Sequence, residues 1–404
     1  MCDNQKPPQN GPCSALRRVL LEHLRRPIAA LFANRLRVGA MALCALCLGP
    51  SLSPGGALAA VFGADERAPV PQSLRAVADR IGTINDPRSR SVCTAFCVAP
   101  DTVATAAHCL YRTADETPLR LDDLTVRLNG SKATTRIAGA DKSAADANVL
   151  AGSSRLSVRP PIDATHDWAL VRLARPLCTA GALPIAPRPV KDVMRLSAEN
   201  KIYNLAYHRD LPKWQPMLAR PCRVKREFDD APWKTIRRDF SEPGQLLLHT
   251  CDTGGASSGS PLLVEGKDGP EVVGINVGTY VQSKVILLNG EVVHRFKSDD
   301  VANTGVNAEA FAHALSVFRA ADLLASSRDI IKLQDALAEH GLYKGPRNGR
   351  YSPALKSAIE RFERAAAMPV TGLATRPLLA ALRGKSHVVT GKLPSRVPPP
   401  VRPR

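Results

Sequence analysis

Between about residue 90 and residue 315, apolar residues come in short runs broken by Gly, Pro, Asn and Asp. Examples are DLTVRLNG (123–130), DWALVRL (167–173), SPLLVEG (260–266), EVVGINVGTY (271–280) and KVILLNGEVVHRF (284–296). Such runs, rich in β-branched residues and bounded by turn formers, predict strands, and Asn289-Gly290 between two of them predicts a tight hairpin. No helical pattern alternates with the strands, which disfavours a parallel α/β sheet and favours a sandwich or barrel. Beyond residue 327 the period changes. DIIKLQDALAEHGL (329–342) puts Ile330, Leu333 and Leu337 on one helical face, with Gly341 as the stop. Ser352-Pro353 then predicts the cap and first turn of a second helix, with Leu355, Ala358, Ile359, Phe362 and Ala366 on its stripe. Thr375 predicts the cap of a short third helix ending at Gly384, and the basic, Pro-rich stretch 385–404 predicts a disordered tail.

The start of the chain changes the compartment. Arg17, Arg18, Arg25, Arg26, Arg35 and Arg37 lead into the apolar run VGAMALCALCL (38–48), and Ala57-Leu58-Ala59 resembles a cleavage site. Residues 1–59 are therefore expected to be a signal peptide with a long basic lead-in. The run falls short of the roughly twenty residues that cross a bilayer, so no stable span is expected once the leader is removed. An uncleaved anchor is the alternative. In an exported chain the six cysteines beyond residue 60, Cys93, Cys97, Cys109, Cys178, Cys222 and Cys251, suggest disulfides, with fifteen pairings open. None of their spacings is CxxC, and no HxxxH or HExxH is present, so neither metal nor other cofactor is expected.

Of the formal net charge of +18, residues 321–404 contribute +9, with fifteen basic and six acidic side chains. A basic segment favours an anionic partner, and in an exported protein an acidic surface polymer or lipid headgroups come ahead of nucleic acid, which is not expected. A merely solvating basic face is the bland alternative. Nothing in the pattern speaks to oligomeric state.

Candidate chemistry centres on CDTGGASSGSPLL (251–263), with three serines in four positions. A hydroxyl of ordinary, very high pKa needs a base beside it, and the base needs a group to hold its tautomer. Upstream, CTAFCVAPDTVATAAHC (93–109) delivers His108 at the end of a predicted strand, and HDWALVRL (166–173) opens a strand at Asp167. The order is His108, Asp167, Ser258.

These residues resemble the trypsin-like serine peptidases of the chymotrypsin fold, and within them the bacterial glutamyl-endopeptidase branch. TAAHC, D-W-A-L and the G-x-S-G-S-P phasing carry the resemblance, over about 60–320. It implies a mainly β fold of two six-stranded antiparallel β-barrels. It makes Ser258 the nucleophile, His108 the general base and Asp167 the residue that orients it, with the backbone N–H groups of Ala256 and Ser258 as the oxyanion hole. The family has glycine where Ala256 stands, and a positive φ there would strain an alanine. Ser257 occupies the place of the aspartate that pairs with a new N-terminus in digestive trypsins, so that switch is not expected. Asp252, Thr253 and Asn276 fall on primary-pocket positions; Asp252 would favour Arg or Lys, while Asn276 in place of a histidine counts against a Glu preference. The resemblance also implies disulfides Cys93–Cys109, Cys222–Cys251 and Cys97–Cys178.

Residues 330–382 resemble the three-helix peptidoglycan-binding-like domain, through L-Q-x-A-L, G-x-Y-x-G, N-G-x-Y, A-I-x-x-F and P-V-T-G-L. The module is expected over 328–384, with peptidoglycan as partner and Tyr343, Arg347 and Tyr351 as glycan-contact candidates. The expectation is thus an exported serine endopeptidase acting on protein or peptide, periplasmic or secreted, and associated with the cell wall. Two alternatives stand beside it: a non-catalytic wall-binding protein with a degenerate protease domain, and an esterase reading Gly255-Ala256-Ser257-Ser258-Gly259 as G-x-S-x-G, with Ser257 as nucleophile.

Overall fold

The computed structural model describes residues 60–111, 119–228, 231–288 and 291–384, the last part of 231–288 and the first part of 291–384 as backbone only. The predicted leader, the hairpin turn at Asn289-Gly290 and the tail 385–404 lie outside the described residues. Strand β1 (Arg67–Pro69) belongs to the second of two sheets. The first sheet is built from β2 (Ile81–Asn85), β3 (Val92–Ala99), β4 (Thr102–Thr105), β5 (Thr125–Leu128), β6 (Thr135–Arg136), β7 (Val149–Ala151) and β8 (Ala169–Arg172). Their spatial order is β6-β5-β2-β3-β4-β8-β7, antiparallel throughout. The ring closes where Ile137, just past β6, bridges Leu173, just past β8.

The second sheet adds β9 (Ile202–Ala206), β10 (Met217–Ala219), β11 (Leu246–His249), β12 (Pro261–Gly266), β13 (Gly269–Leu288) and β14 (Glu291–Asn307), in the order β1-β10-β9-β12-β13-β14-β11. It too returns on itself, since Val224, beyond β10, bridges His249 of β11. Each sheet thus has seven strands where six were expected. The additional ones, β7 and β1, are three-residue strands laid against β8 and β10.

One apolar core runs through both sheets, with Ile81, Phe96, Val103 and Leu170 of the first and Tyr203, Leu248 and Leu263 of the second all buried. Each large side chain withdrawn from water in this way contributes about 1.5–3 kcal/mol. The helix Ala312–Ala320 then returns to the first sheet: Phe311 packs on Trp168 at 6.1 Å between ring centroids, and Arg172 lies over Phe318.

Three helices follow, Ser327–Glu339, Pro353–Ala365 and Arg376–Gly384. Local chemistry starts each one. The Ser326 hydroxyl accepts from the Asp329 N–H, that of Ser352 from Leu355 and that of Thr375 from Leu378. The expected stripe, Ile330, Leu333, Leu337, Leu355, Ile359 and Phe362, forms their buried core. Ala144 and Ala147 of the β-region belong to the same core, and Asn148 Nδ2 donates to the Leu324 carbonyl at 3.0 Å. The helical module is therefore docked on the first sheet rather than swinging on a linker. Of its glycan-contact candidates one is buried and one half-buried. Tyr343 is buried and donates to the Pro346 carbonyl, and Tyr351 donates to Gly372. Only Arg347 stays exposed, 3.3 Å from Asp335. Among the described residues no helix is long and apolar enough to cross a membrane.

Candidate active site

The register of β4 on β8, Thr105 opposite Ala169, brings the end of one strand beside the start of the other. His108 sits in the short helical turn Ala107–Cys109 after β4, and Asp167 stands two residues before β8. Their side chains meet, with His108 Nδ1 2.7 Å from Asp167 Oδ2, while Asp167 Oδ1 accepts the His108 backbone N–H at 2.9 Å. A carboxylate can only accept, so in this contact Nδ1 is the donor, and a neutral imidazole held this way has its lone pair on Nε2.

Ser258 reaches this corner from the second sheet, on the loop between β11 and β12. Its carbonyl accepts from the Thr94 N–H at 2.9 Å and lies 4.0 Å from Cys109 Sγ, one residue from His108. Thr94 Oγ1 donates to the Ala256 carbonyl at 2.8 Å. At Gly259 (φ +84°) a side chain would meet Thr105 Oγ1 and the Thr94 carbonyl at 2.2 and 2.3 Å, so only glycine lets the loop approach this closely. The cysteines pair as Cys93–Cys109, Cys97–Cys178 and Cys222–Cys251. The first staples β3, which carries Thr94, to the turn that carries His108.

The three serines are not equivalent. Ser257 is buried, and Asn276 Nδ2 donates to its carbonyl at 3.1 Å and its hydroxyl at 3.3 Å. Ser260 is buried too and accepts from Asn204 Nδ2 at 2.9 Å. Ser258 is half-buried, and among the described residues its hydroxyl has no protein partner. A strand, β12, follows the loop where an esterase elbow would need a helix. Ala256 has φ +81°, the strained condition anticipated for this position. Its N–H and that of Ser258 have no intramolecular acceptor among the described residues. Beneath the loop, burial pushes the His249 imidazole down to about 4, against a weaker opposing pull from Asn276, and the ring is neutral.

The expected pocket residues need correction. Asp252 is buried, with its carboxylate accepting from the N–H groups of Phe62 (2.9 Å) and Glu66 (2.8 Å). Thr253 pairs with Ala60 by two backbone hydrogen bonds of 3.0 Å. Both clamp the segment 60–66, and Asn276 supports the serine loop from below. None of the three lines the cavity of about 320 Å³ that opens at His108 and Asp167. That cavity lies between the segment before Asp167 (Leu156–Ala164), Phe240 and the stretch Val277–Tyr280 of β13. Within it Asp163, whose Oδ1 lies 2.6 Å from His166 Nδ1, is a site residue that sequence reasoning missed. The signal was present: IDATHDW sets an acid three residues before a second histidine.

A scan against family models matches residues 93–275 to the trypsin-like peptidase domain and residues 326–382 to a peptidoglycan binding domain. A search of curated proteins finds no match. Among solved structures, one described as a Glu endopeptidase in complex with MPD is similar at 18% identity and a TM-score of 0.44, covering 64% of this chain and 98% of its own. The chain carries a trypsin-like peptidase domain and, C-terminal to it, a peptidoglycan-binding domain.

Proposed function

We propose that the protein is an exported serine endopeptidase that works at the bacterial cell wall, held there by its helical module. The observation that carries the reading is the 2.7 Å contact between His108 and Asp167, beside a loop in which Ser258, of the three serines and among the described residues, is the one whose hydroxyl takes no hydrogen bond from an asparagine. In this mechanism His108 Nε2 takes the Ser258 proton as Oγ attacks a peptide carbonyl, and Asp167 stabilises the imidazolium. The Ala256 and Ser258 N–H groups receive the oxyanion. His108 then gives its proton to the leaving amine, and water enters by the reverse route to free the acyl group.

The strain at Ala256, of order 1 kcal/mol, is a folding cost carried equally before and during the reaction, so it does not subtract from the ~3 kcal/mol that one oxyanion donor supplies. At Gly278 and Thr279, β13 pairs with β14 alone among the described residues. An extended peptide can add there as a strand, next to the cavity.

Fluorophosphonate labelling followed by peptide mapping tests the reading. An adduct on Ser258 that disappears in His108→Ala is expected; an adduct on Ser257 would favour the esterase, and none on folded protein would leave a wall-binding protein without this chemistry. Wall attachment is read separately, as co-sedimentation of the full chain with purified sacculi.

A further inference from the structure

The cavity beside His108 holds one carboxylate that this mechanism leaves unused. Both oxygens of Asp167 are taken by His108. Asp163 is different. Its Oδ1 meets His166 Nδ1 at 2.6 Å and Ser241 Oγ at 3.4 Å, while Oδ2 has no protein partner among the described residues. Its side chain is 20% exposed, so the free oxygen is largely shielded yet reachable.

The surroundings hold it in place. Ile162, its neighbour, is zipped to the second sheet's loop by the hydrogen bonds Ile162 N to Asp239 O (2.5 Å) and Ser241 N to Ile162 O (3.0 Å). Phe240 in that loop packs on Tyr280, 5.3 Å between ring centroids. The remaining walls of the cavity are mostly apolar, with Leu156, Ile162, Phe240 and Val277 prominent. A single carboxylate oxygen at the edge of an apolar slot fits a side chain with a long hydrocarbon stem and a cationic end.

We propose that Asp163 selects a cationic residue (lysine, arginine or a diamino acid) at one substrate position beside the scissile bond. The stem lies along the apolar walls, and the ammonium or guanidinium donates to Asp163 Oδ2. His166 holds the carboxylate by its other oxygen and fixes its orientation. The inference rests on the peptidase reading of His108, Asp167 and Ser258, and it moves charge recognition from Asp252, whose carboxylate is already satisfied, to Asp163.

The test uses full-length protein and peptide pairs that differ only by arginine against citrulline, or lysine against norleucine, at each position in turn. The kcat/KM ratio within a pair is expected to favour the cation on the order of tenfold at one position. In Asp163→Asn that ratio falls to about one at the same position, whereas in His166→Gln the cation preference persists. Ratios of one at every position in the parent protein, or an unchanged ratio in Asp163→Asn, would overturn the proposal. Fluorophosphonate labelling of the same samples separates the two failures. Labelled protein with flat ratios removes only Asp163's role, and folded protein that neither labels nor cleaves removes the peptidase reading and this inference together.

Discussion

Arg350 Nη1 stands 2.7 Å from Asp122 Oδ2, joining the turn of the helical module to the short turn Leu121–Asp123 ahead of β5, across 228 positions of sequence. Asp122 is buried and its other oxygen accepts the Ala145 N–H, so the pair fastens a seam that Ala144, Ala147 and Leu324 fill with apolar contact. A chain ending near residue 325 would expose that seam. Its melting temperature is expected to fall by several degrees, at about 2–4 °C per kcal/mol for a domain of this size. Calorimetry on the two lengths checks this, and equal melting temperatures would mean that the module contributes nothing to the stability of the β-region.

Asp146 occupies the same seam, accepting the Tyr351 N–H at 3.1 Å. Burial pushes its carboxyl up to about 6, against the opposing pull of Arg350. Between the ordinary carboxylate value and about 6, the folded chain keeps a proton that the unfolded chain has released. Stability from this group is therefore greatest at the acid end and is lost as pH rises to about 6. Asp146→Asn is expected to raise stability at pH 7 by up to ~2 kcal/mol and to change it little near pH 4. Urea titrations must compare variant and parent at each pH. Burial pushes His249 and His208 down to about 4, so they lose stability in the other direction, as pH falls from the ordinary histidine range towards 4.

Ala256 carries a left-handed backbone, φ +81°, at the rim of the candidate oxyanion hole. Ala256→Gly removes the strain but frees the unfolded chain, two effects of about 1 kcal/mol and opposite sign, so stability should hardly move. Its kcat/KM is expected to equal or exceed that of the parent. Ala256→Val, branched at the same φ, is expected to lose at least tenfold. Labelling rates with a fluorophosphonate give the comparison, and a slower glycine variant would count against this residue as an oxyanion donor.

Asp167→Asn preserves the shape of the pair with His108 while replacing an obligate acceptor by an amide. With the tautomer no longer enforced, kcat/KM near neutral pH should drop by about three to four orders of magnitude while the protein stays folded. Steady-state kinetics on any cleaved peptide, with circular dichroism as the folding control, decides it.

Much of the site was legible as order along the chain. TAAHC, DWAL and SSGSP each announce a residue by its immediate neighbours, and the β4–β8 register then joins two of them. Which serine stays uncommitted was legible only as phasing, because the donors that occupy Ser257 and Ser260 are Asn276 and Asn204, 19 and 56 positions away. Asp252 misled for the same reason, since the amides that satisfy it belong to Phe62 and Glu66, 190 and 186 positions upstream.

The sequence by itself determined the β-type region, the three capped helices with their buried stripe, and the order of histidine, aspartate and serine. Caps and periodicity act between residues a few positions apart, so they can be read from the local string. Tertiary structure alone decided that β1 and β7 join the sheets, that the helical module docks on Asp122, that Asp252 is a clamp, and that Asp163 faces the cavity. A buried polar group takes whichever partner the fold carries to it, and short sequence windows hold no record of that partner.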